Sequence, residues 1–316
     1  MATRQGRLAS AKETLAHPST LVDGFKPTYQ TNLGAAFSGD SLELMRSLPS
    51  GSVQLIVTSP PYALHFQKEY GNVAKHDYVR WFMPFGREMH RILAEDGSLV
   101  LNIGGSYNAG EPTRSLYHMR LLIDLCDTVG FKLAQELFWY NPAKLPAPAE
   151  WVNVRRIRVK DSVEYLWWLS PSAWPAADNR EVLVPYSKDM ERIIERGYEA
   201  TQRPSGHNIT PKFRRRNGGA IPSNVIERGN NDSNSEFMRA SKERGIQHPA
   251  RFPAAIPEFF VKFLTQSDDL VLDPFAGSNT TGHVAESLDR RWLAFEIIDD
   301  YVRASALRFG MDLFAE

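Results

Sequence analysis

The sequence predicts an α/β fold built on a doubly wound, mostly parallel sheet with helices on both faces. Three observations lead there. Short apolar runs of strand length alternate with longer stretches whose apolar residues recur at helical period. Two of the runs, residues 53–57 and 270–273, close in proline-bearing loops, one in Ser59-Pro60-Pro61 and the other in Asp273-Pro274. The alternation breaks once, from about Pro171 to Gln247, where Pro, Asn, Ser, Gly and charged residues crowd the chain. A chain of 316 residues holds one large domain of this kind plus a smaller insertion.

The elements follow in order. Val53-Gln54-Leu55-Ile56-Val57 reads as a buried strand ended by a rigid loop. From Asp77 to Leu93, the residues Val79, Phe82, Met83, Met89, Ile92 and Leu93 fall at helical spacing behind an aspartate suited to cap the helix. Asp96-Gly97 then turns the chain into a second buried strand over 98–103. A helix is expected over 115–129, ended by Gly130, and strands over 133–140 and 162–169. Within the irregular stretch, only residues 187–196 read as helix. Regularity returns with a helix over 256–264, a strand over 270–273, a loop and helix, a strand over 292–295 and a closing helix. The expected organisation is an N-terminal segment (1–30) that is flexible or partly ordered, two halves of one sheet domain (31–170 and 248–316), and an inserted recognition region (171–247).

Composition narrows the class. Hydrophobic residues make up 42% of the chain and charged residues 23%, which allows a sizeable core and no compositionally disordered stretch. No apolar run approaches the roughly 20 residues that span a bilayer. Met1 to Pro18 lacks a continuous apolar segment, so it is no secretory signal and reads as a flexible tail. Cys126 is the single cysteine, which excludes an intramolecular disulfide and suits a reducing cytoplasm. It sits on an apolar helical pattern with Leu121, Leu122, Leu125 and Val129, as a core residue does. The 37 basic and 37 acidic side chains cancel, but two basic clusters stand out: Arg155-Arg156-Ile157-Arg158-Val159-Lys160 and Lys212-Phe213-Arg214-Arg215-Arg216. Taken alone, each is an ordinary solvated face. His207 and His248 have no metal-ligand spacing, and no metal is expected.

Two loops carry the chemistry. Asp273-Pro274-Phe275-Ala276-Gly277-Ser278-Asn279-Thr280-Thr281 follows a buried strand and opens a helix. A glycine-bearing turn there lets backbone approach a ligand, and the helix start offers free N–H groups. Glu296 ends the next strand about 20 residues past Gly277, where nucleotide-binding sheets place an acid for ribose hydroxyls. The segment lacks both the G-x-G-x-x-G spacing and a Walker lysine, so a ligand with an adenosine and an amino-acid tail fits better than a dinucleotide. Thr58-Ser59-Pro60-Pro61-Tyr62 also follows a buried strand, with two prolines fixing its backbone. Ser59 Oγ and the Pro60 carbonyl can accept hydrogen bonds from an aromatic amine and turn its lone pair toward an electrophile, while Tyr62 can stack on a flipped base. Taken alone, the segment reads better as a Pro-Pro turn over a buried tyrosine.

Ser-Pro-Pro-Tyr and Asp-Pro-Phe-Ala-Gly-Ser resemble the catalytic and cofactor motifs of amino-group DNA methyltransferases. Their order, catalytic motif first with a variable region between, is that of the circularly permuted β class. Gly39-Asp40-Ser41-Leu42-Glu43-Leu44, Lys68-Glu69-Tyr70-Gly71-Asn72, Lys144-Leu145-Pro146, Arg203-Pro204-Ser205-Gly206-His207 and His248-Pro249-Ala250-Arg251-Phe252-Pro253 resemble the PvuII-type cytosine-N4 methyltransferases. The likeness runs from about Phe37 to Phe309.

The resemblance implies the S-adenosylmethionine-dependent methyltransferase fold, circularly permuted, with an inserted target-recognition region. It implies that Ser59, Pro60, Pro61 and Tyr62 act on the base, and that S-adenosylmethionine lies against Thr58, Asp273, Phe275, Ala276, Gly277, Ser278, Asn279 and Thr280. Glu296 would take the ribose hydroxyls, Asp40 would meet the adenine edge, and Arg251 and Phe252 would close over the methionine end. Asn279 stands where many relatives carry glycine. Ser59 points to cytosine N4, since adenine-N6 enzymes usually carry Asp or Asn there. With DNA as substrate, phosphate contact becomes the favoured role for Lys212, Arg214, Arg215 and Arg216, and an even one for Arg155 and Arg156. The implied setting is duplex DNA in a bacterial cytoplasm, a short palindromic target, and a cognate restriction endonuclease acting independently, with a monomer favoured over a dimer. Three other readings compete: an adenine-N6 enzyme on the same scaffold, a DNA-binding protein without turnover, and, more distantly, a nicotinamide oxidoreductase. Cytosine-C5 methylation needs a thiolate nucleophile, which Cys126 does not supply.

Overall fold

The computed structural model describes residues 15–63, 74, 76–197, 215–230, 236–243, 245 and 253–314. Of the expected site residues, Lys212, Arg214, Arg251 and Phe252 lie outside these, as do residues 68–72, 203–207 and 248–252 of the resemblance and His207 and His248.

A nine-stranded sheet organises the chain. The first part contributes β1 (Tyr29–Gln30), β2 (Gly34–Ser38), α1 (Ser41–Ser47), β3 (Val53–Thr58), α2 (Tyr78–Ile92) and β4 (Leu93–Ile103). A short hairpin follows, β5 (Ser106–Tyr107) and β6 (Arg114–Ser115), then α3 (Tyr117–Asp124), β7 (Lys132–Tyr140) and β8 (Val163–Ser170). The irregular stretch holds α4 (Lys188–Arg196), β9 (Val225–Glu227) and α5 (Glu236–Glu243). The last part supplies α6 (Ala255–Leu264), β10 (Leu270–Asp273), α7 (Thr280–Ser287), β11 (Arg291–Glu296) and α8 (Asp299–Ser305).

Across the sheet the order is β1-β2-β11-β10-β3-β4-β8-β7-β9. Strands β2, β11, β10, β3 and β4 run parallel, while β8 is antiparallel to β4 and β7 to β8. Residues of the parallel strands divide between two cores, one on each face of the sheet. Val53 and Ile56 of β3, Leu99 and Leu101 of β4, and Leu272 of β10 face α1, α2 and α3 through Leu44, Phe82, Met89 and Leu121. Leu55, Val57, Val100, Val271 and Trp292 face α6, α7 and α8 through Phe260, Val284 and Val302. Burial on both faces explains why these strands read as continuous apolar runs. Each buried aliphatic side chain contributes about 1.5–3 kcal/mol.

From β10 the chain crosses over α7 to β11 on one side. From β3 it crosses over α2 to β4 on the other. β10 and β3 are neighbours, so the winding reverses between them, and a crevice opens at their carboxyl ends.

Four local expectations differ. Asp96-Gly97 does not separate α2 from a later strand: β4 begins at Leu93, directly after the helix, and bulges. Between Val53 and Leu55 of β3 the partner moves from Leu93 to Ser98, so the extra β4 residues loop out of the ladder. Gly97 belongs there because a Cβ would stand 3.0 Å from the Ala94 carbonyl and 3.1 Å from that of Gln54. Asp77 occupies the cap position of α2 but makes no cap bond; its carboxylate pairs with Arg80 and His76 instead. The helix over 115–129 splits into α3 and a wider π-helical turn, 125–129, closed by Gly130 at φ 104°. The irregular stretch also holds more than the single helix over 187–196 that its sequence suggests: β9 joins the sheet edge beside β7, and α5 is a further helix.

Candidate active site

Every expected site residue within the described chain, apart from the basic clusters, lies at the carboxyl edge of the parallel strands. The loop after β10 is held by hydrogen bonds within itself and to its surroundings. Asp273 is buried, and its two carboxylate oxygens are taken by the protein. Oδ1 accepts from Thr58 Oγ1 at 2.7 Å and from the Phe275 amide at 3.1 Å, and Oδ2 accepts from Thr281 Oγ1 at 2.8 Å. This joins the ends of β3 and β10 across the crevice. Burial pushes the Asp273 carboxyl up to about 6, against the pull of those donors.

Beyond it, Gly277 takes φ +51° and Asn279 φ +50°, both left-handed. Asn279 answers the one departure in the motif. Asparagine tolerates the left-handed region better than other residues with a side chain, and here it is also the cap of α7, with Oδ1 accepting from the Gly282 amide at 3.0 Å. Its Nδ2 donates to Tyr29 Oη at 3.0 Å, whose hydroxyl also meets Ser305 Oγ at 2.7 Å. Gly282 completes the fit, because a Cβ there would lie 2.3 Å from Asn279 Oδ1. Arg308, which no motif singled out, braces the loop from below: Nε donates to the Ser278 carbonyl at 2.6 Å, and Nη2 reaches Ser278 Oγ and Thr280 Oγ1 at 3.2 Å each.

Glu296 ends β11 and is 8% exposed. Its Oε2 accepts from the Gly277 amide at 2.9 Å and its Oε1 from Ile298 at 3.0 Å. Burial raises its pKa, while these amides pull the other way. Ile297, next along, is 64% exposed and offers a bare aliphatic surface beside the carboxylate. Phe275 packs against Phe85, Trp81 and Phe82, and Ala276 donates its amide to the Phe295 carbonyl at 2.9 Å. Asp40 ends the loop after β2, exposed, and caps α1 by accepting from Leu42 at 2.8 Å.

The loop after β3 is built differently. Pro60 is buried and Pro61 half-buried, and the Pro61 carbonyl accepts from Tyr78 Oη of α2 at 2.8 Å. Ser59 Oγ donates to Tyr62 Oη at 3.3 Å, which leaves the serine lone pairs for another donor. Tyr62 packs over Gly104 at the end of β4, where a Cβ would stand 2.6 Å from its ring. Its hydroxyl reaches Asn102 of β4 and Glu164 of β8. Neither partner was expected. Glu164 arrives 102 positions later on an antiparallel strand, so no local spacing marks it.

The two basic clusters fare unequally. Arg155 is paired with Glu150 at 2.7 Å and lies 4.9 Å over Trp151. Arg158 pairs with Asp161 and covers Tyr107 at 4.7 Å, while Lys160 donates to the carbonyls of Pro142 and Lys144. Arg156 is exposed at φ +55°, among the bare side chains of Val154 and Val159. Of the second cluster, Arg215 and Arg216 are described and exposed; Asn217, beside them, is tied to Tyr186 Oη at 2.8 Å. Cys126 is half-buried on the π-helical turn, with its thiol pushed up first by burial and then by Asp127, the opposite of what a nucleophile needs. Among the described residues, no three His, Cys, Asp or Glu side chains are arranged to hold a metal ion, and no helix is long and apolar enough to cross a membrane.

The chain is similar to known proteins. The type II methyltransferase M.PvuII of Proteus hauseri is 49% identical over 94% of this chain and 90% of its own length. The type II methyltransferase M.ScaI of Streptomyces caespitosus is 29% identical over 94% and 84%. Among solved structures, the PvuII DNA methyltransferase (cytosine-N4-specific) superposes with a TM-score of 0.75 at 44% identity, covering 93% of this chain and 92% of that one. The profile of the DNA methylase family that acts at N6 or N4 matches residues 53–307. On the family match over residues 53–307 and the 49% identity to M.PvuII, the chain belongs to the N6/N4 DNA methylase family.

Proposed function

We propose that the protein moves a methyl group from S-adenosylmethionine to the N4 amino group of a cytosine flipped out of duplex DNA, as the modification enzyme of a type II restriction-modification pair. The observation that carries this reading is Ser59. Its hydroxyl hydrogen is committed to Tyr62, which leaves Oγ an acceptor at the end of β3, next to the strand whose loop ties Gly277 to Glu296.

The residues fit the cofactor. A buried carboxylate held at a glycine amide suits vicinal ribose hydroxyls, and exposed Ile297 suits the face of a purine. Asp40 stands at the next strand end for the adenine edge, while Phe275, Ala276, Gly277, Ser278, Asn279 and Thr280 form the loop beneath. Thr58 and Asp273 support the site by joining its two strands. When bound, S-adenosylmethionine supplies an electrophilic methyl group. Ser59 Oγ and the Pro60 carbonyl accept the two amino hydrogens, which turns the nitrogen lone pair out of conjugation and toward that methyl. Tyr62 forms the wall of the base pocket.

Residues 171–247 serve as the recognition region between the two halves of the sheet domain, 31–170 and 248–316. Arg156, Arg215 and Arg216, exposed in the structure, contact phosphates together with Lys212 and Arg214; Arg155, already paired, contributes less. The enzyme works in the cytoplasm as a monomer on one strand at a time, independently of its endonuclease. The test is chemical: incubate the protein with labelled S-adenosylmethionine and mixed-sequence duplex DNA, digest to nucleosides and identify the labelled product by mass spectrometry. N4-methylcytosine is expected. N6-methyladenine would establish the adenine reading instead, and binding without product would establish a non-catalytic protein.

A further inference from the structure

Tyr62 is the centre of a hydrogen-bond chain that runs from the catalytic loop to a carboxylate. Ser59 Oγ donates to Tyr62 Oη at 3.3 Å. Tyr62 Oη faces two acceptors, Glu164 Oε2 at 2.9 Å and Asn102 Oδ1 at 3.0 Å. Glu164 Oε1 is held by Lys144 Nζ at 2.9 Å. Asn102 is oriented by its own amide. Nδ2 donates to the Tyr165 carbonyl at 3.1 Å across the β4–β8 ladder, which turns Oδ1 to the phenol.

A phenol has one hydrogen to give and two lone pairs with which to accept. With Glu164 ionised, and therefore an acceptor only, Tyr62 donates to it and accepts from Ser59. Both serine lone pairs are then free for a substrate N–H. With Glu164 protonated, its hydroxyl donates to Tyr62, and the phenol hydrogen swings to Asn102. Ser59 still donates to Tyr62. The network is thus satisfied with the carboxyl in either state, and Ser59 faces the crevice with the same polarity in both. Asn102 is what makes the second state available.

Building on the methyl-transfer reading above, we propose that Glu164 is the terminal acceptor of the proton shed by the target amine, reached through Ser59 and Tyr62. In the transfer, the amine nitrogen bonds to the methyl carbon as the carbon–sulfur bond breaks and its electron pair leaves on sulfur. The methylated nitrogen then holds one hydrogen too many. That hydrogen passes to Ser59 Oγ, the serine hydrogen to Tyr62 Oη, and the phenol hydrogen to Glu164 Oε2. One N–H bond is lost and one carboxyl O–H bond is gained. Tyr62 conducts the proton rather than storing it: burial first, and then the charge of Glu164, push its phenol well above its ordinary pKa. Glu164, with its side chain 17% exposed, returns the proton to water. It touches no substrate and acts through Tyr62, as a positioning residue.

The test uses the full-length protein, labelled S-adenosylmethionine and mixed-sequence duplex DNA. It follows the single-turnover transfer rate, with cofactor affinity measured separately by calorimetry. Glu164→Gln and Tyr62→Phe should each slow transfer on the order of 10²-fold at unchanged cofactor affinity. The two together should be no slower than either alone, because they cut one relay. Asn102→Asp in the Glu164→Gln background puts a carboxylate on the other neighbour of the same hydroxyl, and should recover at least about tenfold of the loss, on the scale expected for restored proton transfer. A Glu164→Gln rate equal to wild type overturns the relay, as do multiplying losses in the double variant or cofactor affinity falling in step with rate. Failure of Asn102→Asp to recover any rate overturns it too. If Glu164→Gln does not fold, Tyr62→Phe leaves the Glu164–Lys144 pair in place, and an unchanged rate there is decisive against the proposal. Wild-type protein that makes no methylated amine defeats the methyl-transfer reading itself, a result distinct from wild-type turnover with insensitive variants.

Discussion

The loops after β10 and β3 leave adjacent buried strands and both carry prolines, yet they spend their polar groups in opposite ways. After β10, most polar side chains are already taken by the protein: both oxygens of Asp273, both ends of the Asn279 amide, and the hydroxyls of Ser278 and Thr280 against Arg308. After β3, the backbone is fixed at Pro61 by Tyr78, but Ser59 retains its lone pairs and Tyr62 is wired to ionisable Glu164. The first loop is preformed as a shape. The second is preformed as a polarity. Binding needs a rigid cradle that does not change, whereas chemistry needs groups that take up and release protons while the cradle stays still.

The largest expected effect lies in the rigid loop. Asp273→Ala leaves the Thr58 and Thr281 hydroxyls and the Phe275 amide without their acceptor, and should destabilise the protein by about 2–4 kcal/mol in urea unfolding. A loss under about 0.5 kcal/mol, the scale of an ordinary surface change, would show that the β3–β10 junction does not depend on it.

Asp273 also sets a pH signature. Its folded pKa, about 6, lies above the ordinary carboxyl value of 3.8, so between those values the folded state binds more protons than the unfolded. Stability from this group is therefore fully present below about pH 4 and is lost as pH rises through 6, by up to roughly 3 kcal/mol. Relative to Asp273→Asn, wild-type stability should fall across pH 4–6. A difference that stays flat, or rises, contradicts the burial argument.

Asn279 gives a smaller effect with an internal control. Asn279→Ala loses the cap and strains a left-handed position, for about 1–2 kcal/mol. Asn279→Gly keeps the backbone and should cost about half as much. Equal costs would mean that the conformation of this residue is not what the loop requires. The smallest effects belong to the surface. Arg215→Ala and Arg216→Ala should each weaken DNA binding evenly across sequences and lower the salt slope by about 1, whereas Arg155→Ala, already paired with Glu150, should change that slope less. A larger change at Arg155 would reverse this ranking.

The sheet and its two loops were legible because burial on both faces writes itself as unbroken apolar runs, and because prolines and glycine punctuate the loops locally. The bulge in β4 was not legible: Asp96-Gly97 looks the same whether it turns the chain or loops out of a ladder, and only pairing with Gln54 and its neighbours decides. Asn279 was visible as a departure, but its reason, a left-handed cap, is a backbone property. Glu164 and Asn102 were invisible for a different reason. They meet Tyr62 only because β8 runs antiparallel to β4, and a glutamate in a half-buried strand has no signature until its partner strand is known. Arg308 likewise acts on a loop 28 to 30 positions away.

The contrast between a loop of shape and a loop of polarity is tested most directly by measuring both properties in Ser59→Ala. Single-turnover methyl transfer should fall on the order of 10²–10³-fold, while the dissociation constant for S-adenosylmethionine, measured by calorimetry on the DNA-free protein, should stay within about twofold, under 0.5 kcal/mol. Equal losses in rate and affinity would show that the loop after β3 is part of the cradle, and would contradict the division of labour drawn here.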